Sequence, residues 1–271
     1  TLFFEALSNP PWLYKEKKYL DAFNEVLKNA TYLNGGLFER NNLDNIGWVI
    51  PDSLFDDIFG FFESFNFTVE ESTPLDIDIA INPEMLGNIY EHLINTEERP
   101  ERERMGIFYT PKVEIELMIR RALVEFLHGK TGIDKEKIYY FVFEEDVEIS
   151  KLWNKDEANK ILNELKDIML LDPACGSGHY LIVAVKILYS LKEKLWTYLG
   201  KRHLGKYEEK KRIIERNIYG NDIKEWAVEI AKLRLWLELF VDAEEERLKN
   251  YTEPLLPSFK FKVRVGDSLV Q

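Results

Sequence analysis

The 271-residue chain carries 48 acidic against 36 basic side chains, a formal net charge of −12. Such a surface repels a duplex at long range, which excludes a chain that grips DNA by itself unless a local basic patch overcomes the background. Its 45% hydrophobic and 13% aromatic content supplies a globular core, while no run of about 18 uncharged apolar residues is present to span a bilayer and no basic-then-apolar start marks a secretory signal.

The single cysteine, Cys175, rules out an intrachain disulfide and points to a reducing, cytoplasmic setting. The chain opens on Thr1, from which a piece of a longer polypeptide is expected.

Residues 2–7 and 12–27 are apolar at helical spacing, separated by Asn9-Pro10-Pro11, where proline removes a backbone donor and breaks the run. Residues 32–39 are rich in turn formers. Past Ile50-Pro51-Asp52, the side chains of Phe55, Ile58, Phe59, Phe62 and Phe65 fall on one helix face, read as core rather than as a stacking platform. Residues 67–69 are strand-like. Residues 83–93 read as a helix with Pro83 in its first turn and Leu86, Ile89, Tyr90 and Leu93 on its apolar side. Residues 1–100 are therefore expected to form a mainly helical leader, ahead of a second unit over 101–271.

Thr110 is placed as a helix N-cap with Pro111 at the first helical position. Ile115, Met118, Ile119, Ala122, Leu123 and Phe126 then form that helix's apolar face. Residues 129–166 read as an insertion: 138–143 is β-rich with 147–149 as a candidate partner, 156–166 is helical, and nothing in it suggests chemistry.

Residues 168–171 read as a buried strand of a parallel sheet. Asp172 and Pro173 stop it, and Gly176 and Gly178 let the backbone turn sharply and approach a ligand closely. From Tyr180 onward Leu181, Val183, Ala184, Ile187, Leu188 and Leu191 recur at helical spacing. A strand, a glycine turn and a helix start present free N–H groups and a partial positive charge to an anionic group. This is not a phosphate loop, since Gly-Lys-Ser/Thr and the third glycine of the dinucleotide fingerprint are both missing. Cys175 reads as a small residue that fits a tight turn rather than as a nucleophile.

Basic residues gather at 99–104 and at 201–216, the latter with Lys201, Arg202, Lys206, Lys210, Lys211 and Arg212. Both runs are interleaved with glutamates and read as solvated helix faces. Residues 213–222 read as a helix end and a short strand that closes on Asp222, where an acidic residue can bond both ribose hydroxyls of an adenosine. A loop or helix-cap aspartate is the plainer alternative. Ala227, Ile230, Ala231, Arg234, Leu235 and Leu237 continue as a helix packed on the sheet, and residues 261–269 alternate as a third strand ending in Gly266-Asp267-Ser268-Leu269.

The run Asp172-Pro173-Ala174-Cys175-Gly176-Ser177-Gly178 resembles the S-adenosylmethionine (SAM) motif of the amino-methylating DNA methyltransferases, specifically the N6-adenine class. Gly106-Ile107-Phe108-Tyr109-Thr110-Pro111 is similar to that family's element upstream of the motif. Residues 32–39, 65–71 and 83–93 resemble the leader of large fused restriction–modification polypeptides, Type IIG and related single-chain systems. The fold this implies is α/β: the SAM-binding half of a Rossmann-like methyltransferase sheet, preceded by a mainly helical region.

The resemblance implies SAM as cofactor, with Asp172 near its ammonium. It implies a turn through Pro173, Ala174, Cys175, Gly176 and Gly178 whose amides lie near the carboxylate and ribose. Thr110 would bond the methionine carboxylate and Tyr109 would wall the pocket, with Pro111 beside them among the cofactor-binding residues. Asp222, with Ile223 beside it, would hold the ribose, and Asp267 would accept from the adenine amino group, a turn aspartate being its plainer reading. The implied function is site-specific adenine-N6 methylation in a restriction–modification system. Double-stranded DNA would be held through parts of the intact protein outside this chain, without metal or membrane. A methyltransferase of RNA or protein, or a vestigial SAM-fold scaffold, are the alternatives.

In this family an Asn/Asp-Pro-Pro-aromatic loop orients the flipped adenine so that its N6 attacks the methyl in line. That loop is expected beyond Gln271, so the chain alone is expected to hold a SAM pocket and to methylate little. Asn9-Pro10-Pro11-Trp12 reads as a helix-breaking linker, with a permuted catalytic loop as the alternative.

Overall fold

The computed structural model describes residues 51–63, 110–243, 257–259 and 261–270. Asn9, Pro10, Pro11, Trp12, Tyr109, the blocks at 32–39, 65–71 and 83–93 and the basic run at 99–104 lie outside the described residues. The helix expected after Pro51 is α1 (Asp52–Glu63). Phe55 and Ile58 are 42% and 39% exposed, so these two do not form the core face that their spacing suggested.

Helix α2 (Lys112–Thr131) starts one residue later than expected: Pro111 occupies the N-cap and no side chain caps the helix. Thr110 is therefore not the cap, and Ile115 N–H bonds the Pro111 carbonyl at 3.1 Å. The buried stripe is Ile115, Ile119, Leu123, Val124 and Leu127. Met118, assigned to that stripe by spacing, is 54% exposed.

The segment read as a β-rich insertion is helical. Helix α3 (Lys135–Phe143) begins where Asp134 accepts from the N–H groups of Glu136 and Lys137, a side-chain cap that satisfies two orphan donors. Its buried Ile138, Phe141 and Val142 follow the helical repeat, and Tyr139 stacks on Phe143 one turn later with centroids 4.3 Å apart. A short α4 (Ile149–Leu152) replaces the proposed partner strand. Helix α5 (Lys155–Asp167) opens on a capping box formed by Asn154 and Glu157.

These helices belong to the core rather than hanging from it. Ile138, Phe141, Ile161, Leu162 and Leu165 are fully buried in one cluster with Leu181, Leu188 and Ile214. At roughly 1.5–3 kcal/mol for each large apolar side chain taken from water, they are as central to stability as the sheet.

Three parallel strands lie in the order β1 (Leu170–Asp172), β2 (Ile218–Asp222) and β3 (Val263–Val265). The register pairs Asp172 with Gly220 and Asp222 with Val265. Parallel neighbours need crossover connections, and here α6 (His179–Leu199) and α7 (Lys206–Asn217) link β1 to β2. Helix α8 (Glu225–Phe240) precedes β3. Helices α6, α7 and α8 pack on β2, α8 also on β3, and α6 meets α2 and α5.

Strand β1 is shorter than the apolar run that announced it. Ile168 ends α5 instead, its carbonyl accepting from Asn217 Nδ2 at 2.6 Å. Nor is the strand buried on both faces, for Met169 and Leu171 are 74% and 63% exposed.

The basic run at 201–216 also departs from a solvated face at one point. Lys210 is 5% exposed and lies 2.6 Å from Glu238 and 2.5 Å from Asp242, while Lys206 reaches Asp242 at 2.8 Å.

Candidate functional site

Parallel strands put their carboxyl ends on one edge, and loops leaving that edge meet over it. Strand β1 ends on Asp172, β2 on Asp222, and β3 runs into Gly266, Asp267 and Ser268. Residues 173–178 form the turn from β1 into α6, with Gly176 at φ 51° and Gly178 at φ 81°. Both values lie in the left-handed region that an L side chain resists. Gly178 is also sterically committed: a Cβ there would stand 2.8 Å from the Cβ of Ala231, so α8 packs directly on the turn.

Hydrogen bonds tie the turn to both neighbouring strand ends. Cys175 N–H donates to the Asn221 carbonyl at 2.9 Å, and Gly176 N–H donates to Asp222 Oδ2 at 2.8 Å. Asp222 Oδ1 accepts from Lys224 N–H at 2.9 Å. A carboxylate has about four acceptor positions, so Asp222 holds the turn and keeps capacity for hydroxyl donors. On the other side, Asn221 Nδ2 donates to the Gly266 carbonyl and to Ser268 Oγ, each at 2.7 Å. The Ser268 hydroxyl in turn donates to the Pro173 carbonyl at 2.5 Å, closing a ring that joins all three strand ends.

Asp267 is exposed, and its Oδ1 accepts from Leu269 N–H at 2.9 Å, a turn-stabilising arrangement. Ile223, next to Asp222, is 65% exposed on the same edge. Thr110 and Pro111 are exposed at the start of α2. Lys112 and His179, the first residues of α2 and α6, line one cavity of about 190 Å³, which brings that end of α2 to the mouth of the turn. The structure thus gathers Asp172, Pro173, Ala174, Cys175, Gly176, Gly178, Asp222, Ile223 and Asp267 on one edge, with Thr110 and Pro111 entering beside α6.

The electrostatics of the edge are acidic. Asp172 Oδ1 accepts from Ala174 N–H at 3.1 Å. Burial, and then the charge of Asp222, hold its carboxyl above the ordinary range. Among the described residues neither aspartate forms an ion pair. The same burial and the same two carboxylates push the Cys175 thiol up to about 12, so Cys175 is an inert part of the turn. No group of His, Cys, Asp and Glu that could hold a metal ion occurs among the described residues. No helix among them is long and apolar enough to cross a membrane.

Three supporting residues escaped the sequence reading. Arg234 is 1% exposed and donates from one guanidinium nitrogen to the Ser177 carbonyl at 3.0 Å and to Ser177 Oγ at 2.9 Å. The one available signal was an arginine on the apolar face of its helix. Asn221 and Ser268 gave none, since their partners are 45 and 95 residues away in sequence.

Residues 149–269 match the family model described as MmeI, DNA-methyltransferase domain. A Methanocaldococcus jannaschii protein, provisionally named a type II restriction enzyme and methyltransferase, is 38% identical over 99% of this chain and 23% of its own length. DNA methyltransferase A of Bacillus subtilis is 27% identical over 89% of this chain and 24% of its own length. The chain therefore spans about a quarter of these curated relatives. The solved structure of the Type IIL restriction-modification enzyme MmeI in complex with DNA aligns with a TM-score of 0.56 at 19% identity, covering 99% of this chain and 31% of that one. The chain is thus similar to part of restriction–modification DNA methyltransferases, and it shares the fold of the matching part of the solved MmeI chain.

Proposed function

We propose that the carboxyl edge of the sheet binds S-adenosylmethionine, and that the intact protein transfers its methyl group to N6 of adenine in DNA, in a single-chain restriction–modification system of the Type IIG kind. One observation carries this reading: a glycine turn clasped to a strand-end carboxylate through Gly176 and Asp222, with Asp172 beside it and no ion-pairing cation for either aspartate among the described residues. Two carboxylates that repel each other favour a ligand that brings positive charge. SAM carries an ammonium and a sulfonium.

The residues present fit that ligand. Asp222 retains lone pairs for the ribose hydroxyls. Ile223 offers an exposed apolar face beside it for the adenine ring, and Asp267, on the loop bonded to Asn221, is assigned to the adenine amino group. Asp172 takes the ammonium, and the turn amides and Thr110, next to Pro111, take the carboxylate.

When bound, SAM supplies an activated methyl whose transfer needs no covalent enzyme intermediate and no metal. The chain's own part is to fix the sulfonium at the turn and to leave the methyl facing the DNA. The loop that orients adenine and the contacts that grip the duplex are proposed to come from parts of the intact protein outside this chain, consistent with its acidic balance and with its spanning about a quarter of the curated relatives. The M. jannaschii and B. subtilis relatives and the MmeI match support DNA as the substrate over RNA or protein.

Calorimetric titration of SAM into the chain tests the pocket, and labelled SAM with adenine-containing duplex tests the reaction in the intact protein. Saturable binding weakened at least tenfold by Asp222→Ala, and label recovered as N6-methyladenine, are expected. Absence of heat and of a thermal shift at millimolar SAM would instead mark a vestigial scaffold.

A further inference from the structure

At the amino ends of the strands, opposite the proposed cofactor edge, α5, α6 and α7 border a second cavity of about 190 Å³. Six cations line it: Lys166 of α5, Lys192 of α6, Lys201 and Arg202 of the loop that follows, and Arg212 and Arg216 of α7. Glu209 is the one carboxylate in the lining. The only ion pair within this group among the described residues joins it to Arg212 at 4.0 Å. In a chain of net charge −12 this is a concentrated reversal of sign.

The plain explanation is that these cations offset helix dipoles, because α5, α6 and α7 all end near this edge. Each helix end presents roughly half a negative charge. Three ends together with Glu209 and neighbouring Asp167 balance between three and four of the six cations, so a surplus of about two remains.

Lys192 shows that the surplus is built in. It is 5% exposed, and its Nζ donates to Asn217 Oδ1 at 3.1 Å. Asn217 is itself fixed by donating to the carbonyls of Lys166 and Ile168 at 3.0 and 2.6 Å. Burial, with the charges of Lys166 and Arg216, draws the Lys192 ammonium down to about 8 against the pulls of Glu209 and Asp167.

We infer that this cavity is a binding site for a small polyphosphate anion, seated between buried Lys192 and the guanidinium groups of Arg212 and Arg216. Arginine matches phosphate oxygens with paired donors, and a lysine ammonium adds a point charge. The site is recessed and small, and its cations converge from four elements rather than following a line, which suits a compact ligand better than a nucleic-acid backbone. Inorganic pyrophosphate and the polyphosphate tail of a nucleotide share this chemistry.

The test titrates inorganic pyrophosphate, and separately ATP, into the full chain at low salt, following heat and the ³¹P resonance. Arg212→Ala combined with Arg216→Ala is the main variant, since both side chains are exposed and the fold can be verified by melting. Lys192→Met is the second variant.

Saturable binding in the millimolar range or tighter is expected, weakened at least tenfold (about 1.4 kcal/mol) in the double variant, with SAM affinity unchanged. Equal affinity for the two probes identifies the phosphates as the recognised part, and tighter ATP binding adds the nucleoside to it. Absence of saturation at about 10 mM, or equal affinity in wild type and double variant, overturns the assignment. So does binding confined to a DNA duplex and lost in the double variant, which would make the cavity a backbone contact.

Discussion

Replacing Gly178 with alanine tests how the turn, α6 and α8 are locked together. The substitution adds one methyl group at φ 81°, where a left-handed backbone costs an L residue about 1–2 kcal/mol. The new Cβ would lie 2.8 Å from the Cβ and 3.1 Å from the Cα of Ala231. Neither atom can rotate away, so α8 must shift, and overpacking of that kind adds about 1–3 kcal/mol. The expected total is about 2–5 kcal/mol, a large share of the roughly 5–15 kcal/mol that holds a domain folded.

Gly132→Ala is the matched control: φ there is 67° and nothing lies within 4 Å of the added atom. It should show the backbone cost alone. Urea unfolding followed by circular dichroism measures both, with midpoints compared at equal slope. Gly178→Ala should also weaken SAM binding, because the shift carries Gly176 N–H away from Asp222. Equal destabilisation by the two substitutions would refute the close approach of α8 to the turn.

Asp172→Asn keeps the acceptor for Ala174 N–H and removes the charge. Because the folded-state pKa of Asp172 is raised by burial and by Asp222, its ionisation opposes folding. That penalty is absent below the unfolded value, about 3.9, and fully present above the folded one. The variant should therefore melt higher than wild type at neutral pH, the gain vanishing as pH falls into the ordinary carboxylate range, while SAM binds roughly tenfold or more weakly for want of a charged partner. The Cys175 thiol, at about 12, exposes roughly one thiolate in ten thousand at pH 8. A disulfide reagent should accordingly react with native chain orders of magnitude more slowly than with denatured chain, and Cys175→Ala should retain SAM binding. Arg234→Met leaves the Ser177 carbonyl and hydroxyl without their guanidinium donor, at a cost of about 1–3 kcal/mol, read by urea unfolding and by weaker SAM binding.

Local chemistry explains which parts of this molecule were legible in its sequence. The glycine turn could be read because φ values of 51° and 81° demand glycine at 176 and 178. Helix α6 could be read because its apolar repeat is long. The Lys135–Phe143 segment misled because its aromatic and β-branched residues favour strands. The Asp134 cap and the burial of Ile138, Phe141 and Val142 against neighbouring helices outweigh that preference. Strand β1 came out shorter because Asn217, from α7, claims the Ile168 carbonyl. The ring through Asn221, Ser268 and Pro173 and the Arg234–Ser177 contact exist only after folding, so sequence spacing could not announce them. Charge interleaving likewise concealed that Lys210 turns inward to Glu238 and Asp242.

The most direct measurement is amide chemical-shift mapping of the chain titrated with S-adenosylhomocysteine, which lacks the reactive methyl. Binding at the strand ends predicts the largest shifts at Gly176, Gly178, Ile223 and Asp267, with the amides around Lys192 and Arg216 undisturbed. Shifts confined to the groove between α2 and α6, or scattered without saturation, would contradict a nucleoside site built on Asp172, Asp222 and the turn between Pro173 and Gly178.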